Sequence, residues 1–288
     1  MLPDFYIIGA MKCGTSTLQT QLAQLPSTFM CEPKEPNFFS DPDVWKKGMG
    51  WYEGLFTDAK PGQLIGEAST HYTKWPDLPD APERVAKATP DAKLIYCVRD
   101  PLKRALSHYR HEWTMDAAPN GPEAAARTMP QLWQYGLYDK QVSRWLEHFP
   151  AERLLIVSLE RLQAEPDAEF ARVLSFLGLQ GTWAHDMQVQ NRSDERIRRL
   201  PLHGLIYENP VAAAIRRALI PQAIRTKMAQ ARRPRPVKFS AEAIDYLTEK
   251  LSADTEAFGK RCGVPLTVAG WKDAALSHQF ELKAATPA

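Results

Sequence analysis

Phe5-Tyr6-Ile7-Ile8-Gly9-Ala10-Met11-Lys12-Cys13-Gly14-Thr15-Ser16-Thr17-Leu18 reads as an apolar strand, a glycine turn and the opening of a helix. In such a turn several consecutive backbone N–H groups aim at one point, and the helix start adds partial positive charge, so an anion is held without a metal. A nucleoside triphosphatase loop runs G-x-x-x-x-G-K-[ST], its lysine reaching the β and γ phosphates and its hydroxyl holding Mg2+. Gly9 and Gly14 keep that spacing, but Thr15 occupies the lysine position and Lys12 lies inside the loop. The turn is therefore expected to cradle an anion other than a Mg-bound triphosphate.

Working outward, further apolar runs at 93–98 and 154–158 are continuous rather than alternating, the pattern of strands covered on both faces. Each strand is followed by a helical pattern: Leu18, Leu22 and Leu25 after the first, Leu102, Leu106, Tyr109 and Trp113 after the second, and Phe170, Val173, Leu174 and Leu177 after the third. Shorter strands are expected at 28–31 and 63–65. A single helix is expected over 131–148, with Leu132, Tyr135, Leu146 and Phe149 on its apolar side. A last helix begins at Ser240, a good N-cap, and sets Ile244, Leu247, Leu251 and Phe258 on one side. Proline clusters at 76–90, 116–130 and 234–236 mark irregular connections. The fold class is α/β, a P-loop-like central parallel sheet of about five strands with helices on both faces. One domain is expected over 1–288, with 200–288 an integrated helical tail.

The chain has 288 residues, enough for a sizeable core, and at 44% hydrophobic and 24% charged its composition is that of an ordinary globular protein. Its net charge of +2 is unevenly spread. From Asn209 to Ala241 there is no acidic residue, while Arg216, Arg217, Arg225, Lys227, Arg232, Arg233, Arg235 and Lys238 leave the rest of the chain at about −6. No nucleic-acid partner is implied. The basic segment 209–238 reads as a solvated arginine-rich surface, with peripheral contact to an anionic membrane or an acidic acceptor as the other readings. Cys13, Cys31, Cys97 and Cys262 show no CxxC pairing and no metal-ligand spacing, so reduced thiols are expected. With no transmembrane run and no leader pattern before the first strand, a cytoplasmic location is expected.

A second segment carries chemistry: Cys97-Val98-Arg99-Asp100-Pro101-Leu102-Lys103-Arg104-Ala105-Leu106-Ser107-His108-Tyr109. It delivers an arginine at a strand end, starts a helix at Asp-Pro and carries a serine two turns in. Asp100 can cap, and Pro101 suits the first helical position, where its missing N–H costs nothing. Lys103, Ser107 and Arg110 share a face distinct from the apolar stripe. Ligands of open α/β sheets bind at the carboxyl ends of the strands, where Arg99 and the glycine turn both emerge.

With Gly9 to Thr17 and the series Arg99, Pro101, Arg104, Ser107 and Tyr109 present in order, the chain resembles the superfamily of sulfotransferases that use 3′-phosphoadenosine 5′-phosphosulfate (PAPS). Glu35-Pro36-Asn37-Phe38-Phe39, Gly50-Trp51-Tyr52 and Glu67-Ala68-Ser69-Thr70-His71-Tyr72 are most similar to heparan-sulfate and related bacterial members. The resemblance runs over roughly residues 4–195. It implies that Lys12 and the turn through Cys13, Gly14, Thr15, Ser16 and Thr17 bind the 5′-phosphosulfate, and that Arg99 and Ser107 bind the 3′-phosphate. It implies Glu35 as general base, Lys12 as the partner of the departing oxygen of the product PAP, and no metal. Where heparan-sulfate enzymes carry a lysine after the equivalent of Glu67, this chain has Ala68, and His71 and His108 are candidates to replace it. Asn191-Arg192-Ser193 stands where a late nucleotide loop is expected, making Arg192 a candidate contact. The acceptor is expected to be a hydroxyl of a carbohydrate, lipid or small metabolite. The alternatives are a P-loop small-molecule kinase needing ATP and Mg2+, and a PAP-binding module that has lost catalysis.

Overall fold

The computed structural model describes residues 1–119, 121–185 and 238–283. Arg192 and all of the basic segment except Lys238 lie outside the described residues, as does the 200–237 part of the tail. Five strands, β1 (Phe5–Gly9), β2 (Thr28–Met30), β3 (Leu64–Ala68), β4 (Lys93–Val98) and β5 (Leu154–Ser158), form one sheet in the order β2-β3-β1-β4-β5. Every pairing is parallel, with Tyr6 beside Glu67, Tyr6 beside Leu94 and Val98 beside Ser158. All carboxyl ends therefore lie along one edge, with β1 at the centre.

The helices in chain order are α1 (Thr15–Ala23), α2 (Pro42–Trp45), α3 (Met49–Gly54), α4 (Ala81–Ala88), α5 (Pro101–Thr114), α6 (Pro122–Thr128), α7 (Gln131–Gln134), α8 (Tyr138–Leu146), α9 (Leu159–Ala164), α10 (Pro166–Leu177), α11 (Ala241–Cys262) and α12 (Trp271–Ser277). A 3-10 turn spans Thr70–Thr73. Phe5, Ile7, Leu94, Ile95 and Val157 are fully buried in the main core, as a sheet covered on both faces requires. Leu102, Leu106, Tyr109 and Trp113 of α5 pack in a second core with Ala125, Leu132, Leu247 and Leu251.

Several boundaries differ from those expected. Strand β3 is Leu64–Ala68 rather than 63–65, because Gly66 passes between Phe5 and Met30 with no room for a side chain, and Glu67 is buried as a hydrogen-bonded carboxyl. The expected helix over 131–148 is two helices broken at Gly136 and Leu137, where a Cβ on residue 136 would stand 3.1 Å from Arg104 Nε. The second piece has no cap of its own, and Asp254 of α11 supplies one by accepting from the N–H groups of Asp139 and Lys140, each at 3.0 Å. The proline-rich connections contain α4 and α6, each with proline in its first turn. Ser240 caps α11 as expected, but Ile244 is exposed and Ala243 takes its place on the buried side. Ser107 does not lie on an open face, since Arg104, Ser107 and His108 are all buried opposite the apolar stripe.

Candidate active site

The turn after β1 is shaped by residues in the left-handed region. Lys12 has φ 71°, and Gly14, the residue before α1, has φ 88°. A Cβ on Gly14 would meet Leu159 Cδ1 at 2.7 Å, so glycine is required there. No side chain caps α1 and its first turn has no acid, which leaves the N–H groups of Thr15, Ser16 and Thr17 to an outside anion. Residues and backbone thus fit an anionic group.

Each neighbouring strand adds a group at the same edge. From β4 comes Arg99, whose Nη1 donates to Lys12 O at 3.3 Å and brings the two predicted phosphate segments into contact. Asp100 caps α5 through Leu102 N and Lys103 N, both at 3.0 Å, and its own N–H donates to Glu160 Oε1 at 3.0 Å. Ser107 follows on α5, buried beside His108.

From β2 comes Glu35, at φ 58°. Its Oε1 is 2.8 Å from Lys34 Nζ, and its Oε2 accepts from Thr70 Oγ1 at 3.2 Å. Lys34 Nζ also donates to Ser16 Oγ at 3.0 Å, so one ammonium joins Glu35 to the start of α1. Burial pushes the Glu35 carboxyl up, but Lys34, His71 and Thr70 together hold it below its ordinary value. Glu35 is thus ionised at neutral pH. Behind it, burial raises Glu67 to about 7; its Oε2 accepts from Tyr52 and, at 3.0 Å, from Tyr72.

From β3 and the following turn come Thr70, His71 and Lys74. Burial lowers Lys74, whose ammonium attracts Glu35, Glu112 and Asp77 and lies 5.8 Å over the Tyr135 ring. Burial likewise lowers His71. His108 is stacked on Tyr135 with centroids 5.7 Å apart, and its Nε2 is 3.4 Å from Glu112 Oε1. Burial takes its imidazole down to about 4, so it is neutral at pH 7. The structure joins Lys12 to Arg99 by a hydrogen bond and Glu35 to Ser16 through Lys34, while His108 faces Glu112 of α5 and the Tyr135 ring instead. Lys34, Thr70 and Lys74 were given no role from the sequence; the available signals were that Lys34 directly precedes Glu35 and that Thr70 lies in the segment Glu67 to Tyr72.

The sulfotransferase domain family model matches residues 2–206. Heparan sulfate glucosamine 3-O-sulfotransferase 3B1 of Homo sapiens is 35% identical over 189 residues, which is 62% of this chain and 46% of that protein. Bifunctional heparan sulfate N-deacetylase/N-sulfotransferase 3 of Mus musculus is 29% identical over 198 residues, 62% of this chain and 22% of that protein. The chain spans less than half the length of these curated relatives, and the acceptors in their names are stated of those proteins. A solved sulfotransferase from Alicyclobacillus acidocaldarius superposes with a TM-score of 0.59 at 26% identity, covering 76% of this chain and 96% of that one.

Proposed function

The chain belongs to the sulfotransferase domain family, and from that premise we propose that it moves a sulfuryl group from PAPS to an acceptor hydroxyl and releases PAP. The observation that carries the reading is the contact between Arg99 and the turn at Lys12, with Lys34 joining that turn's helix to Glu35. The uncapped start of α1 and Lys12 fit a 5′-phosphosulfate, and Arg99 with Ser107 fits a 3′-phosphate. Bound there, the donor supplies an activated sulfur and a phosphate leaving group.

The protein's part is proton and charge management. Glu35, ionised and reachable at the strand edge, takes the proton of the attacking hydroxyl. Lys12 neutralises charge on the departing oxygen, and the N–H groups of α1 hold the oxygens that stay behind. With Ala68 at the relatives' lysine position, the cations this segment turns toward Glu35 are His71, if protonated, and Lys74. For the acceptor we favour a glycan hydroxyl, on the strength of the heparan sulfate relatives. We also infer one domain, because α11 and α12 pack into the two cores that hold the sheet and α5. A reducing, cytoplasmic setting is supported by four buried, unpaired cysteines. Among the described residues no helix is long and apolar enough to cross a membrane.

The donor assignment is tested by calorimetric titration with PAP and with ATP, each with Mg2+ and again with the metal chelated. PAP is expected to bind in both conditions and more tightly than ATP. Binding of ATP that exceeds PAP and requires Mg2+ would support the kinase reading instead.

A further inference from the structure

The two phosphate-binding segments are tied together by a side chain that belongs to neither. Tyr138 opens α8 and is almost fully buried. Its hydroxyl donates to Arg99 O at 2.7 Å, accepts from Arg99 N at 3.3 Å and lies 3.6 Å from Cys13 Sγ. Arg99 Nη1 in turn reaches Lys12 O at 3.3 Å, which closes a ring through Lys12, Cys13, Tyr138 and Arg99. The phenol is clamped among Tyr96, Phe258 and Trp271, with centroids 6.0, 5.8 and 5.4 Å away.

Between Val98, the last residue of β4, and Pro101, the first of α5, only Arg99 and Asp100 make the corner. Glu160 holds Asp100, and the Tyr138 hydroxyl holds the backbone of Arg99. A hydroxyl that gives and accepts at one residue's backbone fixes that residue's orientation, and removing it leaves the half-buried Arg99 N–H and C=O each without this partner. Asp254 holds the start of α8 from the far side, so the phenol has a rigid base.

We propose that Tyr138 is a positioning residue for the 3′-phosphate: it sets Arg99 at a fixed spacing from the glycine turn, so that the site selects a nucleotide phosphorylated at both the 5′ and 3′ positions. This rests on the donor reading above. Arg99 carries the 3′-phosphate and the turn carries the 5′ end; two of the three hydroxyl contacts are to the Arg99 backbone and only the 3.6 Å contact to Cys13 Sγ is to the turn, so loss of the Tyr138 hydroxyl acts chiefly on the first.

The test is calorimetric titration of the full chain with PAP and with AMP, in wild type, Tyr138→Phe, Arg99→Ala and the double variant. The wild type binds PAP more tightly than AMP. Tyr138→Phe shrinks that ratio by about tenfold, with AMP affinity within about twofold of wild type. In the Arg99→Ala background, Tyr138→Phe adds no further loss specific to PAP, as expected for two residues acting through one contact. An unchanged ratio, equal weakening of PAP and AMP, or a full PAP-specific loss in the Arg99→Ala background overturns the proposal. A wild type that does not distinguish PAP from AMP overturns the donor reading instead. If Tyr138→Phe does not fold, Asp254→Ala, which uncaps α8 and keeps the hydroxyl, must lower the same ratio; an unchanged ratio there also overturns it.

Discussion

Glu35 is governed by Lys34. Burial alone would raise its carboxyl, and the neighbouring ammonium at 2.8 Å leads the groups, with His71 and Thr70, that hold it down. Activity that needs the ionised form is lost as pH falls through the carboxyl's pKa, so the wild-type acid limb of kcat/KM should lie below the ordinary glutamate range. With Lys34→Met the largest opposing influence on burial is removed, and the limb should move up; a pH–rate profile that does not move would remove Lys34 from this role. Glu67 works in the opposite sense. Its folded value of about 7 exceeds the ordinary 4.5, so its contribution to stability is present below pH 4.5 and is lost as pH rises to about 7. The loss should be on the order of 3 kcal/mol in denaturant unfolding, and Glu67→Gln should flatten it. Glu35 was legible from its setting in Glu35-Pro36-Asn37-Phe38-Phe39. The Lys34 bridge was not, because a hydrogen bond to Ser16 depends on where β2 delivers the chain.

At the scale of elements, the glycine turn is a conformational requirement before it is a binding site. Gly14→Ala places a Cβ at φ 88° and against Leu159, and should cost about 1–2 kcal/mol of stability with a larger proportional loss of PAP affinity. Thermal unfolding and calorimetry on the same sample separate the two effects. Continuous apolar runs gave β1, β4 and β5 their bounds to within a residue, since a strand buried on both faces needs no polar alternation. Strand β3 was harder to read because a carboxyl group stands at its fourth position, where hydrogen bonds from Ser69, Tyr52 and Tyr72 make it tolerable. The break at Gly136 was hidden for a similar reason: the glycine lies close against Arg104 and Leu251, residues of other helices.

For the molecule as a whole, an all-parallel sheet does the gathering. Each strand releases its chain at the same edge, so Lys12, Glu35, Thr70, Arg99 and Glu160, widely spaced in sequence, follow five adjacent strand ends. Two motifs at two strand ends were readable from the sequence, and topology supplied the rest. The cap that Asp254 gives α8 shows the same dependence, since it joins residues 115 and 114 positions apart in the sequence. The measurement that tests the account most directly is transfer of labelled sulfate from PAPS to a panel of glycan, lipid and small-molecule hydroxyl acceptors, by wild type and Glu35→Gln side by side. Label should appear on an acceptor with the wild type and fall by at least about 100-fold with the variant, while PAP affinity is retained. Equal transfer by both proteins, or no transfer by a wild type that binds PAP, would contradict it.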